Sequence, residues 1–212
     1  MGPADTILYR GWYLNTTWGT LDQDQRYHNG MRFAQLLYNY GWTEESIAGI
    51  IGNVDAESGL SPATAESNHY PDYIPSNEEV IEDVGWWGGL GFVQWTPGRI
   101  NLAEWAEQEN ILWYDGRTQA KRLKYECDNN LEMPDAWDFY THTHDPPDDC
   151  ARFFCLRYLR PADPEGTMRA RQRKALEWYD NIHGKLLSPL KRLMLYKNNR
   201  ERKELKQRCL WM

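Results

Sequence analysis

Asn53-Val54-Asp55-Ala56-Glu57-Ser58-Gly59-Leu60 and, about thirty residues later, Gly88-Gly89-Leu90-Gly91-Phe92-Val93-Gln94-Trp95-Thr96-Pro97 are the two stretches on which the reading of this chain turns. The first closes an apolar-periodic helix in a single Glu followed by Ser-Gly. Upstream, Thr43 is placed to cap that helix, and Glu44 and Glu45 stand in its first turn, where the helix dipole favours negative charge. Ile47, Ile50, Ile51 and Val54 recur at helical spacing and form its buried stripe. Gly59 stops it. The second stretch is a glycine-rich turn, where missing side chains let the backbone approach a ligand. It runs into Gln94, whose amide both donates and accepts.

Outward from these segments the pattern stays helical. Apolar positions between Asp22 and Tyr40 (Met31, Phe33, Ala34, Leu36, Leu37) predict a helix ended by Gly41. Residues 60–85 read as a long polar loop with three Pro and many acids, and loops of that length usually carry a function. Further helices are expected over Asn101–Gln108, Thr118–Leu131, Asp148–Leu159 and Met168–Ile182, with 134–147 rich in turns. No strand-rich stretch or internal repeat occurs. The expected class is mostly α. An N-terminal arm (1–21) packs on a body (22–184), and a basic amphipathic segment (185–212) follows.

Composition narrows the function. The formal charge of −7, from 24 basic and 31 acidic residues, argues against a nucleic-acid binder. Residues 185–208 hold nine Lys/Arg and two Glu, so that segment is +7 and the remainder −14, the asymmetry of a body with a separate basic tail. Ser188-Pro189 is a helix-start signal, and Leu186, Leu187, Leu190, Leu193 and Met194 give the tail an apolar stripe. Such a segment suits docking to a partner protein or contact with an anionic membrane surface. Cys127, Cys150, Cys155 and Cys209 lack zinc-site spacing and read as buried thiols, with one disulfide as the alternative. No metal or cofactor is expected. His142-Thr143-His144-Asp145 reads as a solvated loop, and the run Arg169, Arg171, Arg173, Lys174 as a helix face. No basic-then-apolar leader and no run of eighteen apolar residues appears, so delivery to a substrate outside the cytoplasm would depend on another agent.

Glycosidic cleavage needs a carboxylic acid that donates its proton to the leaving oxygen. Glu57, at a helix C-terminus, sits where the dipole favours the neutral acid. The chain's eleven Trp and thirteen Tyr fit the flat rings on which sugars stack. Candidate substrate contacts are Ser58, Gln94, Trp95, Thr96, Trp86, Trp87 and Tyr158.

The segment from Gly41-Trp42-Thr43 to Glu57-Ser58, then Gly91–Pro97, then Phe154 through Arg160-Pro161-Ala162-Asp163-Pro164, resembles the tail-associated lysozymes of tailed bacteriophages over roughly residues 25–182. It is similar, more distantly, to goose-type lysozymes and lytic transglycosylases. The resemblance implies an all-α lysozyme fold, a catalytic acid at Glu57 and a sugar-contacting amide at Gln94. It implies bacterial peptidoglycan as substrate, phage tail proteins as partners, and a place in the virion tail with action in the cell wall. Goose-type enzymes carry an Asp two residues after the Gln, where this chain has Thr96. A second acid is therefore not assigned. Asp55 lies on another helix face, and Glu66, Asp72, Glu78, Glu79, Glu82 and Asp83 are offered by the loop. Hydrolase, lytic transglycosylase, endolysin and a non-catalytic tail or wall-binding component all stay open at this point.

Overall fold

The computed structural model describes residues 6–15, 20–66, 74–83, 88–96, 98–129, 136–188 and 191, with only the backbone of 136–138. Two short antiparallel strands, β1 (Ile7–Tyr9) and β2 (Trp12–Leu14), pair Ile7 with Leu14. The helices follow: α1 (Gln23–Asn39), α2 (Glu44–Ser58), α3 (Asn77–Ile81), α4 (Arg99–Gln108), α5 (Gly116–Asp128), α6 (Ala136–His142), α7 (Pro147–Phe154) and α8 (Pro164–Ile182). A π-helical turn, Cys155–Leu159, extends α7. The fold is mostly α, as the periodicity indicates.

The centre of the molecule is α2. Thr43 Oγ1 accepts from Ser46 N at its start, and Gly59, at φ 57°, closes it in the left-handed conformation that glycine adopts at low cost. Every residue from Ser46 to Asp55 is buried, so α2 is wrapped by neighbours rather than packed on one face. It lies against α8 and α7, with α1 alongside. Two glycines allow this. A Cβ on Gly49 would sit 2.6 Å from Cys150 Cβ, and one on Gly52 would sit 2.6 Å from Ala175 N. Helices that touch backbone to backbone hold their side chains in a fixed mutual register, which matters for the site below.

The N-terminal residues do more than lie on the body. Arg10 (φ 47°) and Gly11 (φ 82°) make a two-residue turn with both φ positive, the geometry that suits a hairpin's twist. Trp12 is fully buried and meets Phe92 edge-on, and Phe92 tilts against Phe33 of α1. Buried Asn29 donates to Tyr13 O and Leu60 O, and Ser61 Oγ donates to Asn15 O. The hairpin thus clasps the chain just after Gly59.

Five sequence expectations change. The arm is a hairpin, missed because its strands are only three residues long. The 60–85 loop contains α3, whose signal was present in Ser76-Asn77-Glu78-Glu79, a capping box formed by Ser76 and Glu79. The turn-rich 134–147 stretch contains α6, where Tyr140 stacks on Trp42 at 4.5 Å. The expected Asp148–Leu159 helix changes to π geometry at Cys155. The body also runs past residue 184. Leu186 is buried, and the Leu187 backbone both donates to and accepts from the Gln35 side chain. Among the described residues, no helix is long and apolar enough to cross a membrane. Cys127, Cys150 and Cys155 are free and buried, and burial pushes the Cys150 thiol up to about 12, so these are inert thiols. Cys209 lies outside the described residues, as does nearly all of the basic tail.

Candidate active site

An open cleft of ≈ 580 Å³ is lined by Glu57, Glu66, Gly89, Val93, Gln94, Thr96, Leu159, Arg160 and Pro161. Its size lies within the range of ligand-binding clefts. Three walls meet there. The end of α2 presents Glu57. The Gly88–Thr96 turn presents Gln94 and Thr96. The corner after the π-helical turn presents Leu159, Arg160 and Pro161, with Arg160 at φ 48° ending the turn.

The turn is fixed by main-chain bonds. Leu90 and Trp95 bond in both directions, Gly91 N donates to Thr64 O, and Glu66 N donates to Gly89 O. Gln94 takes a left-handed φ of 53°, which is uncommon outside glycine and carries a backbone cost. Its Nε2 donates to Gly91 O at 2.7 Å and Thr64 O at 3.1 Å. Both amide hydrogens are thereby used, which leaves Oε1 as the acceptor for a ligand donor.

Among the described residues, Glu57 has one charged partner. Arg171 Nη2 of α8 donates to Glu57 Oε1 at 2.7 Å, with the arginine side chain 5% and the glutamate 20% exposed. The guanidinium also donates to Asn53 Oδ1 and Thr167 Oγ1. Asn53 is itself tied by Nδ2 to Gly49 O and Ala151 O. The carboxylate therefore rests against a cation held by side chains of α2 and α8. Burial pushes the nearby Cys155 thiol above its usual range, with Arg171 opposing and Glu57 and Glu165 adding to the shift.

Asp55, two residues before Glu57, faces elsewhere. It pairs with Arg26 and with Lys174 at 2.8 Å and accepts from Trp178 Nε1, joining α1, α2 and α8. The basic run of α8 is likewise divided. Arg171 points inward to Glu57, Lys174 to Asp55, and Arg173 remains exposed beside Glu177. The reading of this run as a helix face misses the role of Arg171, whose partner is 114 residues away and leaves no local signal.

The aromatic candidates fall differently. Trp95 and Tyr158 are each 7% exposed and are not in the cleft lining. Trp95 Nε1 and Tyr158 Oη both donate to Glu126, a buried carboxylate that also holds Arg122. Burial, together with the Glu126 charge, pushes the Tyr158 hydroxyl well above its usual range, which keeps it a neutral donor. These rings lie beneath the surface as packed structure. Ser58 is also interior, donating to Val54 O. Trp86 and Trp87 lie outside the described residues. The sequence singled out neither Arg171 nor the Leu159–Pro161 corner as part of the site.

The chain is 28% identical over 160 residues to morphogenesis protein 1 of Bacillus phage B103, covering 72% of this chain and 40% of that protein. The chain thus spans well under half the length of this relative. Residues 28–182 match the phage tail lysozyme family. That span takes in the helix carrying Glu57, the turn carrying Gln94 and the Arg160-Pro161 corner, and the chain belongs to the phage tail lysozyme family.

Proposed function

We propose that this protein cuts the glycan strand of bacterial peptidoglycan at the β-1,4 bond between N-acetylmuramic acid and N-acetylglucosamine. Glu57 is the general acid that protonates the leaving oxygen, and Gln94 Oε1 accepts from a sugar hydroxyl or N-acetyl N–H. The observation that carries this reading is one cleft holding a carboxylate at a helix end beside an amide whose hydrogens are already committed inward. Membership in the phage tail lysozyme family supports the same chemistry. The relative from phage B103 is named for morphogenesis, which supports delivery by the virion so that the tail can cross the wall. In this reading the basic C-terminal segment docks the enzyme to other tail proteins.

The test is a turbidity assay on purified bacterial cell walls, with product analysis. Clearing accompanied by new saccharide ends supports the reading. Walls that remain turbid and intact at micromolar protein count against it and favour a wall-binding or structural role.

A further inference from the structure

The family resemblance leaves the second acid open, and the cleft narrows the choice. Of the described loop acids, Asp83 is paired with Arg99, and Glu79 is spent capping Ser76 N at 2.7 Å. Glu78 and Glu82 belong to α3 and its C-cap, outside the lining. Asp55 faces α1 and α8, and Glu126 is buried and outside the lining. Among the described residues, Glu57 and Glu66 are the two acids in the lining; Asp72 lies outside the described residues.

Glu66 is built into its place. Its N–H donates to Gly89 O, and its Oε2 accepts from Gly89 N, both at 3.0 Å. A Cβ on Gly88 would lie 2.4 Å from Glu66 Cβ and 2.7 Å from Oε2, so this carboxylate position requires glycine opposite. The two carboxylates are drawn to different walls, Glu57 towards Arg171 of α8 and Glu66 towards the Gly88-Gly89 turn. Among the described residues, neither hydrogen-bonds the other.

We infer that Glu66 is the general base of the reaction, an inference that rests on the glycan-cutting reading of this cleft. Glu57 gives its proton to the glycosidic oxygen as the bond from that oxygen to the anomeric carbon breaks. A water oxygen bonds to the same carbon from the opposite face and gives its proton to Glu66. Proton exchange with solvent then returns Glu57 to the acid and Glu66 to the carboxylate. The reaction is hydrolysis with inversion, the arrangement in which the carboxyls stand about 6.5–9.5 Å apart. In a lytic transglycosylase the substrate's own 6-hydroxyl attacks, and no water has to be activated by this carboxylate.

The experiment uses the full chain on soluble peptidoglycan glycan strands, comparing wild type, Glu57→Gln, Glu66→Gln and Glu66→Ala. Glu66→Gln keeps an oxygen for Gly89 N and should fold. Its kcat should fall roughly 10²–10⁴-fold, the contribution of a positioned base, with KM nearly unchanged. Azide, a nucleophile that needs no base, should restore turnover to Glu66→Ala and give a glycosyl azide of inverted configuration. Wild-type product should appear first as the α-anomer, read by NMR before mutarotation, and this readout decides even where a variant misfolds. Wild-type kcat in Glu66→Gln with Glu57→Gln inactive, a β-anomer, or an anhydro-sugar would overturn the inference and leave the glycan-cutting reading standing. Intact strands with the wild-type protein would overturn that reading, and the inference with it.

Discussion

At the scale of residues, the site depends on how Glu57 is held. Arg171 reaches Glu57, Asn53 and Thr167 with separate nitrogens, a fork that an ammonium on a flexible stem does not reproduce. Arg171→Lys should therefore keep the charge and lose the geometry. We expect kcat to fall about tenfold or more while KM stays within about twofold, because the arginine holds the acid and is absent from the cleft lining. Arg171→Met should cost about 1.5–3 kcal/mol of stability, the worth of hydrogen bonds to a charged group. Steady-state kinetics and a thermal melt check both, and a wild-type kcat in either folded variant would show that Arg171 does not position the acid. The places of Glu57 and Gln94 were legible because each follows from neighbours in sequence, a helix stop at Gly59 and a glycine turn. Arg171 was not, because its role arises where two helices distant in the chain cross. Trp95 and Tyr158 looked like sugar platforms because ring type says nothing about which way a ring faces. Here the buried Glu126 draws both polar edges inward.

At the scale of elements, the crossing of α2 and α8 sets the register between Glu57 and Arg171. Gly52 is the contact point, with Ala175 N and Cα and Arg171 O all inside 3 Å of a built Cβ. Gly52→Ala would gain about 1 kcal/mol of helix propensity. Overpacking against rigid backbone costs about 1–3 kcal/mol, and no flexible side chain is there to yield. We expect a net loss of stability, a melting temperature lower by a few degrees, and reduced activity as α8 moves Arg171 away. A melting temperature at or above wild type would show that the helices can part freely. The elements themselves were legible where caps and period agree, as for α2 with Thr43 and Gly59. They were missed where they are short. The three-residue strands, five-residue α3 and seven-residue α6 are held by tertiary contacts such as Trp12 on Phe92 and Tyr140 on Trp42. Periodicity cannot register over so few residues.

At the scale of the whole molecule, Gln35 of α1 holds the Leu187 backbone, so the body reaches at least that residue. The +7 carried by residues 185–208 stands against a remainder of −14. Truncation after Leu187 should leave the melting temperature and glycan cleavage near wild type and abolish incorporation into phage particles, read by immunoblot of purified virions. Unfolding of the truncated protein would assign the segment to the core instead. Everything proposed for this molecule depends on one carboxyl group in one cleft, so the most direct measurement is the rate of cell-wall cleavage by wild type and by Glu57→Gln at equal concentration, with the fold of each checked by circular dichroism. The account predicts a folded variant at least roughly a hundredfold slower, in line with the loss of a general acid. A folded Glu57→Gln protein that clears walls at the wild-type rate would contradict it.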